Sequence, residues 1–173
     1  MIEELHSGRF LRLLKNDRWE YVERTNAHCA VVIVAVTPEN ELLLVDQTRI
    51  PSGGRVLELP AGLVGDQDDI PEEALEQAAN RELIEETGYS AARWTHLADG
   101  PPAPGLANET LHFLLAEDLT RVGDGGGVGG EDIIVRKVPL PGIENWLSAR
   151  RKAGEMVDPK IYIGLYFIRH QIS

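Results

Sequence analysis

The sequence contains a single cysteine, Cys29, so no internal disulfide can form and a reducing compartment is the natural expectation. Basic residues are scarce, with 17 lysines and arginines against 28 aspartates and glutamates and a net charge of -11. This charge argues against binding to nucleic-acid backbones or anionic membranes, which attract basic patches. No run approaches roughly 18 apolar residues, and the first ten residues lack the apolar region of a signal peptide. We therefore expect a cytoplasmic protein with no nucleic-acid or membrane partner.

The 173 residues, 43% of them hydrophobic, suffice for one domain with a substantial core. Short β-branched and leucine-rich runs outnumber helical patterns, and turn residues separate them. This pattern predicts an α+β domain, or a layered α-β-α domain, in which antiparallel hairpins surround one helix. No glycine-rich phosphate-binding motif between a strand and a helix supports a classical nucleotide-binding fold.

Two apolar runs, Cys29 to Val36 and Glu41 to Gln47, have the length of strands that are buried on both faces. The turn residues Pro38 to Asn40 between them predict that the two strands are consecutive and antiparallel. A strand follows over Val56 to Leu59, and Pro60 to Gly62 is predicted to break it.

The other segments include a hairpin, a glycine-rich loop and two C-terminal helices. Residues 9–15 and 19–25 are predicted to pair around a short turn. Gly123 to Gly130 has the composition of a mobile loop, and Glu109 to Ala116 is predicted to be a strand. Ile143 to Met156 is predicted to be a helix, and Asp158 to cap a last helix that runs to His170.

Glu73 to Tyr89 is predicted to form an amphipathic helix, closed by Gly88 in the left-handed conformation that glycine favours. One face of this helix begins with apolar residues and continues with carboxylates one and two turns further on. The residues on this face are Leu75, Ala78, Ala79, Glu82 and Glu86. Carboxylates therefore stand where core residues are expected.

The acidic end of this helix has two explanations. Glu82, Glu85 and Glu86 are spaced so that like charges repel, and they crowd the negative end of the helix dipole. A hard divalent cation such as Mg²⁺ would relieve this repulsion, because it binds oxygen ligands. A solvated acidic helix end, with Arg81 and Glu85 as an ion pair, explains the same spacing.

The helix segment resembles the Nudix box of the Nudix hydrolases, whose pattern is G-x5-E-x7-R-E-U-x-E-E-x-G-U, with U a bulky aliphatic residue. Glu73, followed after seven residues by Arg81 to Tyr89, matches this pattern. Gly62 matches the box glycine best, although ten residues rather than five separate it from Glu73. We interpret the difference as an acidic insertion, including residues 65–69, in the loop before the helix.

Flanking segments resemble the ADP-ribose and ADP-sugar pyrophosphatase branch of this family. Residues 45–51 and 57–62 are similar to the region before its box, and Pro104 falls sixteen residues after Gly88, like the proline that marks the branch. Residues 18–25 are similar to its N-terminal hairpin. The resemblance implies a Nudix-like α-β-α sandwich with a mixed, largely antiparallel sheet, an N-terminal hairpin segment at 1–27, a hydrolase domain at 28–173, and a homodimer.

The resemblance also implies a metal site. Glu82, Glu85, Glu86 and the carbonyl of Ala61 would bind Mg²⁺, with Mn²⁺ as an alternative, and Arg81 would orient the glutamates.

For the substrate, the resemblance implies that Arg49 contacts the diphosphate. Trp19 and Arg24 would recognise adenine and its surroundings. Glu131 matches the loop glutamate that acts on the attacking water, and Glu109 is the second choice.

The implied reaction is Mg²⁺-dependent hydrolysis of the diphosphate of ADP-ribose, or of a related ADP-sugar, to AMP and a sugar phosphate. Two alternatives stay open: hydrolysis of another nucleoside diphosphate derivative, and a non-catalytic nucleotide-binding module that retains the fold.

Overall fold

The computed structural model describes residues 1–27, 29–66 and 74–171, in which strands are combined with three helices. The strands are β1 Ile2–Ser7, β2 Leu11–Asn16, β3 Trp19–Arg24, β4 Cys29–Ala35, β5 Glu41–Arg49, β6 Gly54–Glu58, β7 Ala61–Val64, β8 Tyr89–Gly100, β9 Leu111–Arg121, β10 Ile133–Pro139 and β11 Met156–Val157. The helices are α1 Leu75–Thr87, α2 Ile143–Lys152 and α3 Lys160–Gln171.

The N-terminal segment forms an antiparallel sheet of its own in the order β1-β2-β3. The predicted hairpin of β2 and β3 is confirmed, and Asp17 occupies its turn with a φ of 55°. The exposed strand β1, which the sequence analysis did not predict, adds a third strand. The Val22 N–H donates a hydrogen bond to the Leu106 carbonyl at 2.8 Å. The N-terminal sheet therefore contacts the loop between β8 and β9.

Two four-stranded sheets form the centre, in the orders β10-β5-β6-β11 and β7-β4-β9-β8. Strands β4 and β5 were predicted to be consecutive and antiparallel, and they meet at an isolated antiparallel bridge between Val36 and Leu42, but they lie in different sheets. β4 instead runs parallel to β9 and antiparallel to β7. The turn residues predicted a change of direction, but the partners of a strand buried on both faces come from distant segments.

The core lies on both faces of the β7-β4-β9-β8 sheet. One face packs against β5, β6, α2 and α3, where Val34, Leu44 and Leu147 are fully buried. The other face packs against α1 through Ala79 and Leu83. Alternate residues of β4 point into the two clusters, as the period of a strand requires. The predicted layered α+β fold, with mixed and largely antiparallel sheets, is confirmed.

Helix α1 ends where the sequence predicts. Gly88 follows its last residue in the left-handed conformation, with a φ of 77°, and donates its N–H to the Ile84 carbonyl. The predicted start at Glu73 lies outside the described residues. In the described ranges, no helix is long and apolar enough to cross a membrane.

The two C-terminal helices are separated by a short strand. α2 ends at Lys152 rather than at Met156, because the chain turns at Gly154, with a φ of 87°, and enters β11 beside β6. The Asp158 side chain accepts a hydrogen bond from the Lys160 N–H at 2.7 Å, as the predicted cap of α3 requires.

The glycine-rich segment after β9 packs against the end of α1. The N–H of Gly126 donates to the Glu86 carbonyl and that of Gly127 to the Glu85 carbonyl, both at 2.9 Å. A Cβ on Gly125 would lie 2.4 Å from the backbone of the last residue of α1. The sequence predicted a mobile loop, whereas these contacts show that its glycines permit a close approach between two backbones.

Gly125→Ala is expected to destabilise the protein more than Gly129→Ala. Both glycines have positive φ, 69° and 63°, so alanine costs roughly 1–2 kcal/mol of backbone strain at either position. Position 129 has open space, whereas position 125 meets the backbone of α1, which adds roughly 1–3 kcal/mol of overpacking. Urea denaturation of both variants measures the difference. Equal losses of unfolding free energy in the two variants would show that position 125 is not closely packed against α1.

Candidate active site

Helix α1 and strand β7 meet at a buried carboxylate. Glu86 is 5% exposed and accepts a hydrogen bond from the Ala61 N–H at 3.1 Å. The chain breaks around Pro60 as predicted, but it resumes at once as β7, which pairs with β4. The sequence analysis did not predict the hydrogen bond from the Ala61 N–H to Glu86. The role of the Ala61 carbonyl as a metal ligand stays a prediction.

Gly62 provides the space that the Glu82 side chain occupies. A Cβ on Gly62 would lie 1.9 Å from Glu82 Cδ, a distance at which no side chain fits. The Glu82 side chain is consequently held against β7 and is 13% exposed. The glycine that matches the box therefore serves close packing of a helix carboxylate on a strand.

Arg81 connects the helix glutamates with the loop after β7. Its Nη1 lies 2.6 Å from Glu82 Oε1 and 3.7 Å from Glu85 Oε2. Its Nη2 donates to the Leu63 carbonyl at 3.1 Å and to the Asp66 carboxylate at 3.3 Å. These contacts are the geometry that an orienting arginine requires.

Both inward carboxylates have strongly shifted pKa values. Burial raises the pKa of Glu86 to about 8, against the opposing effect of the Ala61 N–H, and the Glu82 charge adds to the rise. Burial also raises the pKa of Glu82 to about 7, although Arg81 opposes the shift. A solvated acidic helix end does not fit these two residues, because Glu86 is 5% exposed and the Glu82 side chain is 13% exposed.

The donor set of α1 fits a hard divalent cation. Glu82, Glu85 and Glu86 offer carboxylate oxygens, and the sequence of α1 contains neither histidine nor cysteine. Oxygen ligands suit Mg²⁺ or Mn²⁺ better than softer metals. A cation at this position would offset the repulsion between carboxylates that are buried close together.

Arg49, the last residue of β5, is held by a glutamate to which the sequence analysis gave no role. Its Nε donates to Glu58 Oε1 at 2.6 Å and its Nη2 to Glu58 Oε2 at 3.0 Å. This contact raises the pKa of Arg49, and the Glu86 charge adds to the rise. Glu58 stands between Leu57 and Leu59 in the sequence, and a charged residue in such an apolar segment indicates a buried ion pair. The Arg49 side chain stays 42% exposed, so it remains accessible to an anion.

The two candidate bases have different surroundings. The Glu131 carboxylate accepts a hydrogen bond from the Val128 N–H at 3.1 Å, and its charge is, after burial, among the causes that raise the pKa of Glu86. Glu109 precedes β9, whereas the sequence placed it within the strand, and it forms an ion pair with Arg24. Glu131 thus lies on the side of the α1 carboxylates, and the charge of Glu109 is balanced by an arginine.

Arg24 and Glu109 line a cleft of about 730 Å³ between the N-terminal sheet and the loop that joins β8 and β9. Asp66 also lines this cleft and contacts Arg81, so the cleft borders the carboxylate site. Cys29 lies on the wall, where burial raises the pKa of its thiol.

Trp19 and Pro104 lie together in a neighbouring groove of about 350 Å³. Trp19 is 56% exposed there and is thus available to a ligand. Ala107 and Asn108 line both the groove and the cleft, so the two spaces share a wall. The structure therefore groups Trp19 with Pro104, and Arg24 with Glu109, on the two sides of one loop.

Comparison with known proteins gives concordant results. A NUDIX domain model matches residues 27–131. A methanol dehydrogenase activator of Bacillus methanolicus is 30% identical over 98% of this chain and 90% of its own length. An ADP-ribose pyrophosphatase of Bacillus subtilis is 35% identical over 68% of this chain and 64% of its own length. A GDP-mannose pyrophosphatase of Citrobacter koseri is 31% identical over 86% and 76%, respectively.

A solved structure of an ADP compounds hydrolase has the same fold, with a TM-score of 0.74 at 23% identity over 99% of this chain and 91% of that one. Fold and site together define the class, an α+β domain in which a carboxylate-bearing helix packs on a mixed sheet. The matches to the domain model and to the relatives go further, and they show that the chain belongs to the Nudix family. The predicted enzyme class, a Nudix hydrolase, is confirmed.

Without metal, the stability of the protein should fall as the pH rises through the pKa of Glu86. A carboxyl whose pKa is raised from 4.5 to about 8 on folding binds its proton more tightly in the folded state. Its contribution is therefore present in full below about pH 4.5 and lost as the pH rises towards 8. At 1.36 kcal/mol per pKa unit, the loss is about 3–5 kcal/mol.

Urea denaturation in EDTA between pH 5 and 8.5 measures this effect. Glu86→Gln should remove a large part of the slope, because glutamine keeps an acceptor for the Ala61 N–H but carries no charge, and the remaining slope belongs to Glu82. Glu76→Gln, on the exposed side of α1, is the matched control and should keep the wild-type slope. If the pH dependence of the unfolding free energy is unchanged in Glu86→Gln, ionisation of this carboxylate does not destabilise the folded protein.

Proposed function

We propose that the protein hydrolyses the diphosphate bond of ADP-ribose or a related ADP-sugar, with Mg²⁺ as cofactor, and releases AMP and a sugar phosphate. The observation that carries this proposal is the burial of Glu82 and Glu86 against β7, with pKa values raised to about 7 and about 8. Such carboxylates are suited to hold cations. The names of the pyrophosphatase relatives supply the substrate class.

The residues around α1 divide the work of such a reaction. Glu82, Glu85 and Glu86 would hold the cation, which neutralises the diphosphate and polarises a phosphoryl oxygen. Arg81 fixes two of these carboxylates through its contacts at 2.6 and 3.7 Å. Arg49, which Glu58 holds in place, would contact the diphosphate through the part of its guanidinium that stays exposed.

Glu131 is proposed as the base that takes a proton from the attacking water. It follows the segment whose backbone contacts α1, and its charge influences Glu86. A carboxylate in this position can accept the proton while the diphosphate is held in place. The products then separate as AMP and a sugar phosphate, with the oxygen of water on one of the two phosphates.

The nucleotide is proposed to lie along the loop between β8 and β9. Trp19, which is 56% exposed, and Pro104 provide an apolar surface on which a base can stack. Arg24 in the adjacent cleft would place its guanidinium, in an ion pair with Glu109, beside the base.

A homodimer in the cytoplasm is part of this proposal. Apolar side chains on the N-terminal segment are exposed and available for an interface. They are Ile2, Leu5, Phe10 and Leu11, with exposed fractions of 58, 41, 54 and 46%. Residues 1–27 would then act as a dimer arm on the domain 28–173, which sedimentation measurements would decide.

A second candidate function follows from the relative that is similar over 98% of this chain, a methanol dehydrogenase activator by name. A protein of this kind acts on another enzyme, so its effect can be assayed separately from hydrolysis. Addition of the protein to a dehydrogenase assay, with and without EDTA, would reveal it, and no change in the dehydrogenase rate would reject it.

The purified protein should release AMP from ADP-ribose in the presence of Mg²⁺ and not in EDTA. Without a cation, the negative charge of the diphosphate is not neutralised and is repelled by the carboxylates of α1. A panel with GDP-mannose and a dinucleotide such as NAD⁺ separates the substrate classes by kcat/KM. If only GDP-mannose is hydrolysed, the proposed ADP-sugar substrate is wrong and the substrate is a guanine nucleotide sugar. Melting shifts with nucleotides, but no hydrolysis of any compound, would indicate a non-catalytic binding module.

Glu131→Gln should lower kcat by about 10²- to 10⁴-fold with little change in KM, because a general base acts in the chemical step. Glu109→Gln is the matched control, and it should act mainly on KM through the loss of its ion pair with Arg24. The opposite result, with kcat lost in Glu109→Gln and kept in Glu131→Gln, would assign the base to Glu109.

A further inference from the structure

A β-bulge near the end of β8 brings two side chains to one face of the sheet. In a regular strand, residues three positions apart point to opposite faces. The register of β8 against β9 shifts between His96 and Ala98, so one extra residue is inserted there. His96 and Asp99 consequently share a face, and Asp99 stands directly opposite His112 of β9.

These three side chains converge. One ligand atom from each of His96, Asp99 and His112 lies within 4.8 Å of the others. Nε2 of His96 is 3.5 Å from Oδ1 of Asp99, and the two imidazole rings are 6.1 Å apart between centroids. Two imidazoles and one carboxylate at these distances form a ligand set that borderline transition metals favour.

A ring nitrogen of His112 has no hydrogen-bond partner among the described residues. This nitrogen, Nδ1, is buried. A buried ring nitrogen without a partner loses its hydration without compensation. A surface contact of His96 with Asp99 would account for those two residues, but it would not account for the buried Nδ1 of His112, which has no partner in the described part of the chain.

We propose that His96, Asp99 and His112 form a second metal site, for a borderline divalent ion such as Zn²⁺. The site has room for such an ion to be exchanged, because the side chains of His96 and Asp99 are 47% and 57% exposed. Its imidazole ligands distinguish it from the all-oxygen site of α1. Open coordination positions would be filled by water.

The sheet register separates the two sites. Val31 of β4 pairs with Gly62 on one side and with His112 on the other, and His112 pairs with Asp99. Gly62, under the Glu82 side chain, and Asp99 are thus three strand spacings apart, roughly 14 Å. One ion cannot bridge this distance, so the histidine site is a separate centre on the same face.

The position of the site indicates what it does. Asp99 is the residue before the end of β8 and His112 is the second residue of β9, so they stand at the base of the loop 101–110. This loop carries Pro104 and Glu109, which line the groove and the cleft. A metal ion at its base would fasten both ends of the loop and restrict its movement.

Zn²⁺ titration of the full chain, with Mg²⁺ in excess to occupy the α1 carboxylates, tests the proposal by calorimetry and by imidazole NMR signals. We expect one Zn²⁺ to bind and to shift the ring signals of His96 and His112. His96→Ala and Asp99→Asn, both at exposed positions, should each weaken the affinity by at least ~10-fold. His6→Ala, an exposed histidine on β1, is the matched control and should bind as the wild type does.

Thermal melting supplies an independent readout. Zn²⁺ should raise the melting temperature of the wild type and of His6→Ala, but not that of His96→Ala or Asp99→Asn, because an ion stabilises only the state that binds it. Equal Zn²⁺ affinity in the wild type and both cluster variants would overturn the proposal. So would Zn²⁺ binding that disappears in Glu85→Gln and persists in His96→Ala, because the ion would then sit at α1.

Discussion

The structure of the site depends on two carboxylates that are buried between a helix and a strand. Glu86 and Glu82 lie at the interface of α1 with β7, where desolvation raises the pKa of both. An ordinary core would place leucine or alanine at these positions, as the preceding turn of α1 does with Ala78 and Ala79. The fold therefore concentrates the cost of buried negative charge at one place, and a bound cation would offset that cost.

Glycine residues permit the close packing around the buried carboxylates. Gly62 leaves room for the Glu82 carboxylate above β7, and Gly125 brings a second backbone against the C-terminal end of α1. The N–H groups of the glycine-rich segment then satisfy helix carbonyls that would otherwise lack partners. The same segment leads to Glu131, so the end of the helix, the buried carboxylates and the proposed base are connected by a few backbone contacts.

The loop between β8 and β9 connects the other parts of the protein. It hydrogen-bonds to β3 of the N-terminal sheet, and it separates the groove of Trp19 from the cleft of Arg24. The His96, Asp99 and His112 cluster lies at its base. The proposed nucleotide contacts of the loop and the proposed metal ion at its base would thus be coupled through one short segment of backbone.

The sequence by itself determined the local features. The 3.6-residue period placed the carboxylates of α1 on the apolar face, the need for a left-handed residue placed Gly88 at its end, and the N-cap chemistry of Asp158 marked the start of α3. The length and composition of the strands predicted an α+β fold. These features depend on residues within a few positions of one another, so a linear pattern contains them.

The tertiary structure alone decided what depends on contacts between distant segments. It placed β4 beside β7 and β9 rather than beside β5, and it turned the Ala61 N–H towards Glu86. It also paired Arg49 with Glu58, and a bulge that no composition signal marks brought His96 to the face of Asp99 and His112. Partners and faces of this kind follow from sheet register and burial, which the chain fixes only when all its strands are assembled.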